Sequence, residues 1–220
     1  MLLDSGKIAG HNNAMNRYVV EAIGTFFLVL TIGFSANPLA IGFILATMVY
    51  MGGYISGGHY NPAVTLAVFL QKKITSKDSM MYVAFQILGA VAASLVFFLV
   101  QQQSLLVQPG STVKFNDALL LEALFTFVLC SVVLHTAVSK KNTPNQFYGL
   151  AIGATVMAGA FSVGAISGGA FNPAVGVGPA LVAVINAPLN ISNVLLYILG
   201  PGIGAVLASL VFSSVTKNEK

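Results

Sequence analysis

The sequence predicts an all-α membrane protein with six transmembrane helices and two re-entrant half-helices, arranged as an inverted 3+3 repeat. Three observations carry this expectation. Of 220 residues, 56% are hydrophobic and 7% are charged, against roughly 25% charge in soluble domains, and the mean hydropathy is +0.86. The charges cluster, leaving none from Ala22 to Gln71, from Ser79 to Val113 or from Asn142 to Thr216. A ten-residue motif also occurs twice.

A transmembrane helix needs about 20 mostly apolar residues. Cutting the chain at its polar and Pro/Gly-rich breaks yields six such segments, at about 18–36, 39–56, 79–100, 117–138, 147–164 and 192–215. Two apolar segments, about 61–70 and 172–183, are too short to span, and each follows a Gly-rich stretch. Half-length segments of this kind enter and leave on one side. Residues 1 to 17 carry Asp4, Lys7 and Arg17 without an apolar h-region, so the first span is expected to stay uncleaved.

With six spans, one side collects Lys7, Arg17, Lys72, Lys73, Lys77, Lys140, Lys141, Lys217 and Lys220, and the other has Lys114 alone. The positive-inside rule then puts both termini in the cytoplasm. This topology accounts for the basic residues better than a nucleic-acid partner, since they form neither a face nor a tail. The single cysteine, Cys130, leaves no intrachain disulfide and no thiolate metal site. No metal or cofactor is implied.

The repeat pairs Ile55-Ser56-Gly57-Gly58-His59-Tyr60-Asn61-Pro62-Ala63-Val64 with Ile166-Ser167-Gly168-Gly169-Ala170-Phe171-Asn172-Pro173-Ala174-Val175, identical at eight of ten positions. Ile87-Leu88-Gly89 returns as Ile198-Leu199-Gly200, and Glu21-Ala22 as Glu122-Ala123. Repeat one is expected to cover about 18–100 and repeat two about 117–215, within a single transmembrane domain over 1–220. Three spans per half is odd, so the halves cross the membrane in opposite senses around a pseudo-two-fold axis. The two short segments then enter from opposite faces and meet near the midplane.

Each short segment starts at Asn-Pro, a strong N-cap followed by a residue suited to the first helical turn. The positive dipole ends would point at the bilayer centre. The Ser-Gly-Gly stretches are expected to be non-helical and to line a wet cavity, with carbonyls of Gly58, His59, Tyr60, Gly168, Gly169 and Ala170 in file. Asn61 and Asn172 would donate hydrogen bonds where the dipole ends converge. A small neutral molecule with a lone pair is accepted there, whereas a cation loses hydration and meets a positive field. These features describe a pore for uncharged solutes.

The chain resembles the aquaporin or major intrinsic protein family on its two Asn-Pro-Ala motifs, Asn61-Pro62-Ala63 and Asn172-Pro173-Ala174, each in Ser-Gly-Gly-x-x-Asn-Pro-Ala context. Aquaporins also illustrate selectivity by pore diameter, lining hydrogen bonds and half-helix dipoles. The resemblance implies an outer selectivity filter at Ile41, Ala160, Gly169 and Val175. Most of the family has arginine where this chain has Val175, so a wider and drier filter is expected. Ala180 and Tyr197 look like the water-channel type, Ile198 like the glycerol type, and Gly176 like neither. The implied function is passive flow of water and small neutral solutes such as glycerol, urea or ammonia. A strictly water-selective channel is the alternative. The resemblance also implies a homotetramer in membrane lipid, at a plasma membrane or bacterial inner membrane, and glutamates (here Glu21 and Glu122) that hold the re-entrant loops.

Other classes fit less well. A hydrolytic triad would need an acid beside His59, which the sequence does not place there; His59 is expected to pack the loop rather than gate it. His135 is expected at an interface and His11 in the polar N-terminus. A secondary transporter shares inverted repeats but normally carries charge at the midplane, where none is expected here. A non-conducting structural membrane protein is the remaining class.

Overall fold

The structure, a computed structural model of the chain, describes residues 11–142 and 144–217; Asp4, Lys7, Lys220 and the side chain of His11 lie outside the described residues. The helices are α1 His11–Ser35, α2 Pro38–Ser56, α3 Pro62–Leu70, α4 Ser76–Gln101, α5 Phe115–Val133, α6 Tyr148–Ser167, α7 Pro173–Ala183 and α8 Ile191–Val215. Six are long and apolar enough to cross a membrane. The others, α3 with 9 residues and α7 with 11, reach roughly 14 and 17 Å at 1.5 Å per residue, half of a ~30 Å hydrocarbon core.

Local chemistry explains the boundaries. Asn37 caps α2, its Oδ1 accepting from Leu39 N–H at 2.9 Å, with Pro38 at the first helical position. Thr75 Oγ1 caps α4 by accepting from Asp78 N–H at 3.1 Å. The span expected at 117–138 is α5 plus one π-helical turn, Leu134–Val138. The helices α2 and α6 stop at Gly57 and Gly168, whose φ values of 94° and 95° lie where a Cβ is strongly disfavoured. Ser56 and Ser167 are therefore the last helical residues, and only the stretch after them is irregular, a correction to the expectation that the serines too are non-helical.

The packing repeats with the sequence. The pairs α1 with α4 and α5 with α8 form equivalent units, and α2 packs on α6 between them. A Cβ on Gly89 would overlap the Ala22 carbonyl, and one on Gly204 would overlap that of Ala123, so small residues set the closest helix approach in each unit. At the lysine-rich end, Asp78 joins α4 to α1 through Tyr18 Oη at 2.6 Å and Arg17 at 3.2 Å.

Glu21 lies ten residues into α1 and Glu122 seven into α5. Because α1 begins before the apolar run that starts at about residue 18, Glu21 lies deeper along its helix than that run alone indicates. Both are fully buried.

Candidate functional site

The half-helices meet end to end. Asn61 and Asn172, each at φ −157°, cap α3 and α7 by accepting from Ala63 N–H at 2.8 Å and Ala174 N–H at 2.9 Å. Their amides also cross between repeats: Asn61 Nδ2 donates to the Phe171 carbonyl at 2.8 Å and Asn172 Nδ2 to the Tyr60 carbonyl at 2.9 Å. An amide nitrogen carries two hydrogens, so each asparagine keeps one N–H beyond this brace. Pro62 and Pro173 occupy the first helical position, where no N–H is needed. Ala63 and Ala174 are buried.

The accepting residues Tyr60 and Phe171 have φ values of 50° and 47°, a left-handed backbone that disfavours side chains by roughly 1–2 kcal/mol. Their N–H groups explain how it persists. Tyr60 N–H donates to Glu21 Oε2 at 2.6 Å and Phe171 N–H to Glu122 Oε2 at 2.7 Å. The other oxygens accept from Ser56 Oγ (2.7 Å) and His59 N–H (3.0 Å), and from Ser167 Oγ (2.8 Å) and Ala170 N–H (3.1 Å). The His59 ring meets Thr65 Oγ1, and it is the backbone N–H of His59 that reaches an acid, Glu21, because α1 packs behind the loop. The Glu21 oxygens are occupied by the chain's own donors.

The two cradles differ behind the loops. Gln86 Nε2 donates to Glu21 Oε2 at 2.8 Å and to Thr65 Oγ1 at 3.0 Å, and Thr65 also meets His59 Nδ1 at 3.1 Å. At the repeat offset, Gln86 becomes Tyr197, Thr65 becomes Gly176 and His59 becomes Ala170. Tyr197 donates to the Ser167 carbonyl at 2.8 Å, and a Cβ on Gly176 would overlap the Tyr197 side chain. Gly176, which matches neither solute class, is thus small because Tyr197 needs the space. Gln86 and Thr65 are absent from the sequence reading; a glutamine within a charge-free span was the available signal.

Two substitutions test this wiring. Gln86→Met removes the fourth donor to Glu21 and is expected to lower stability by about 1–2 kcal/mol, read as a lower unfolding temperature of the purified channel in detergent. Gly176→Thr is expected to displace Tyr197 and destabilise by about 1–3 kcal/mol. Adding Tyr197→Gln, which installs the first-half pair in the second half, should recover part of that loss; a strictly additive double variant would contradict the packing account.

One cavity of about 480 Å³ is lined by both asparagines, by Gly58, His59 and Tyr60, by Gly168, Gly169 and Ala170, and by Ile41, Ala160 and Val175. The lining also includes the aliphatic residues Leu28, Leu45, Leu129, Val133, Ile152 and Val156. None of its lining residues is charged. Residues 105–108, from the segment between α4 and α5, also line it. The sequence reading missed them, although three consecutive apolar residues in a polar loop were visible. The Tyr60 hydroxyl turns into the protein, donating to the Met48 carbonyl at 2.8 Å.

His59 is anchored by Thr65 and by edge-on contact with Tyr82, ring centres 5.2 Å apart. His135 lies in the π-helical turn against Phe212 and does not line the cavity. Among the described residues no three histidine, cysteine or acidic side chains cluster as metal ligands.

Known proteins share this architecture. The family model "Major intrinsic protein" matches residues 30–212. The chain is 34% identical to the aquaporin AqpM of Methanothermobacter thermautotrophicus, over 91% of this chain and 97% of that protein. It is 35% identical to the glycerol uptake facilitator protein-like 6 of Lactiplantibacillus plantarum, over 89% and 95%. The fold matches the aquaglyceroporin structure from Plasmodium falciparum with a TM-score of 0.79 at 17% identity, over 92% and 97%. Six apolar helices, paired half-helices and a family match across most of the chain agree: this is an integral membrane protein of the major intrinsic protein family, a family of channels and not of enzymes.

Proposed function

We propose that the chain conducts water and small uncharged solutes, glycerol first and urea or ammonia beside it, passively and in both directions. The observation that carries this reading is the uncharged cavity, whose candidate constriction is formed by Ile41, Ala160, Gly169 and Val175. A cation entering it exchanges hydration for aliphatic walls and meets the converging positive ends of α3 and α7. A neutral solute finds carbonyl acceptors along one side and two amide donors at Asn61 and Asn172. In this reading the Asn-Pro-Ala motifs lie at the membrane midplane, Glu21 and Glu122 hold the loops, and both termini are cytoplasmic. The whole chain acts as one channel domain, assembled as a homotetramer at a plasma membrane or bacterial inner membrane.

Similarity to a protein named as a glycerol uptake facilitator supports the solute assignment. Tyr197, which resembles the water-selective type, is engaged in packing on Gly176. Uptake of labelled glycerol and urea into proteoliposomes tests the reading. It should exceed protein-free liposomes without any ion gradient. Water flux alone would favour the strictly water-selective channel.

A further inference from the structure

We propose that Gln108 is a recognition residue for neutral solutes that both donate and accept hydrogen bonds, at the end of the cavity bounded by the loop between α4 and α5. The proposal rests on the solute reading above and adds a residue to it.

The loop is pinned at this place. Leu105 is 8% exposed and joins the core. Gly110 N–H donates to the Ile166 carbonyl at 3.0 Å, and a Cβ on Gly168 would lie 3.0 Å from the Gln108 carbonyl oxygen. The segment thus rests on the second re-entrant loop, beside Gly169. Gln108 itself is exposed and lines the cavity, and no hydrogen bond to its side chain occurs among the described residues.

The neighbouring wall explains what this amide does. At this end Ile41, Ala160, Gly169 and Val175 supply no polar side chain, and the carbonyls of the loop only accept. A solute leaving water here keeps partners for its own donors but loses those for its oxygens until it reaches Asn61 or Asn172. A glutamine amide supplies both a donor and an acceptor. Polyols and urea, with several polar atoms fixed to one frame, need such a group more than water, which carries neighbouring waters along in file.

The test uses the full-length channel in proteoliposomes, with glycerol, urea and water permeabilities measured on one preparation. Gln108→Leu should lower glycerol and urea permeability more than water permeability, so that the solute-to-water ratio falls about threefold to tenfold, as expected for one lost hydrogen bond. Gln108→Asn should restore part of the ratio; Gln108→Glu, which accepts but cannot donate, should restore less. An unchanged ratio in Gln108→Leu would overturn the proposal alone. Solute flux through the unaltered protein no greater than in protein-free liposomes would overturn it together with the solute reading.

Discussion

Replacing Val175 by arginine is expected to cut glycerol permeability about tenfold or more, equivalent to raising the barrier by about 1.4 kcal/mol, while water continues to pass. Val175 lies in the first turn of α7, its N–H donating to the Asn172 carbonyl at 3.1 Å, and it lines the cavity beside Ile41, Ala160 and Gly169. A guanidinium there occupies volume that the isopropyl group leaves open, and brings five donors and a fixed positive charge. Glycerol is wider than water and is the first to lose passage. Cation leak, followed with a potential-sensitive dye, should not increase. Glycerol flux in Val175→Arg equal to that of the unaltered chain would contradict the placement of the constriction.

Glu21→Ala is expected to be the most destabilising substitution in the cradle and to abolish flux. It leaves Ser56 Oγ, the His59 and Tyr60 N–H groups and Gln86 Nε2 without their acceptor, inside a membrane where water cannot replace it. Each orphaned donor costs about 1–3 kcal/mol, and Tyr60 also loses what holds its left-handed backbone. Glu122→Ala, which frees three donors rather than four, should be less severe. Glu21→Gln keeps one acceptor oxygen and should fall between the parent and Glu21→Ala. Thermal unfolding of the three variants in one detergent measures the order, and equal midpoints would contradict the cradle model.

Periodicity and local chemistry made the architecture legible. Charge-free runs marked the spans, and Asn61-Pro62 and Asn172-Pro173 marked where two short helices begin, because capping depends only on adjacent residues. The depth of Glu21 was not legible. Its place depends on α1 starting before the apolar run and on α4 packing behind it, so the partnership with Gln86, 65 residues away, has no local signature. Gly176 matched neither solute type for a related reason: its small size reflects Tyr197 from α8. The entry of Gln108 into the cavity wall depends on contacts with Ile166 and Gly168 that only the folded chain brings together.

The central claim, a pore open to water and small neutral solutes through an uncharged constriction, is tested most directly by stopped-flow light scattering of proteoliposomes in a glycerol gradient, with sucrose as the impermeant reference. The account predicts rapid shrinkage as water leaves, followed by reswelling faster than in protein-free liposomes as glycerol enters. Rapid shrinkage with reswelling no faster than in those controls would contradict it and make Ile41, Ala160, Gly169 and Val175 a water-selective constriction.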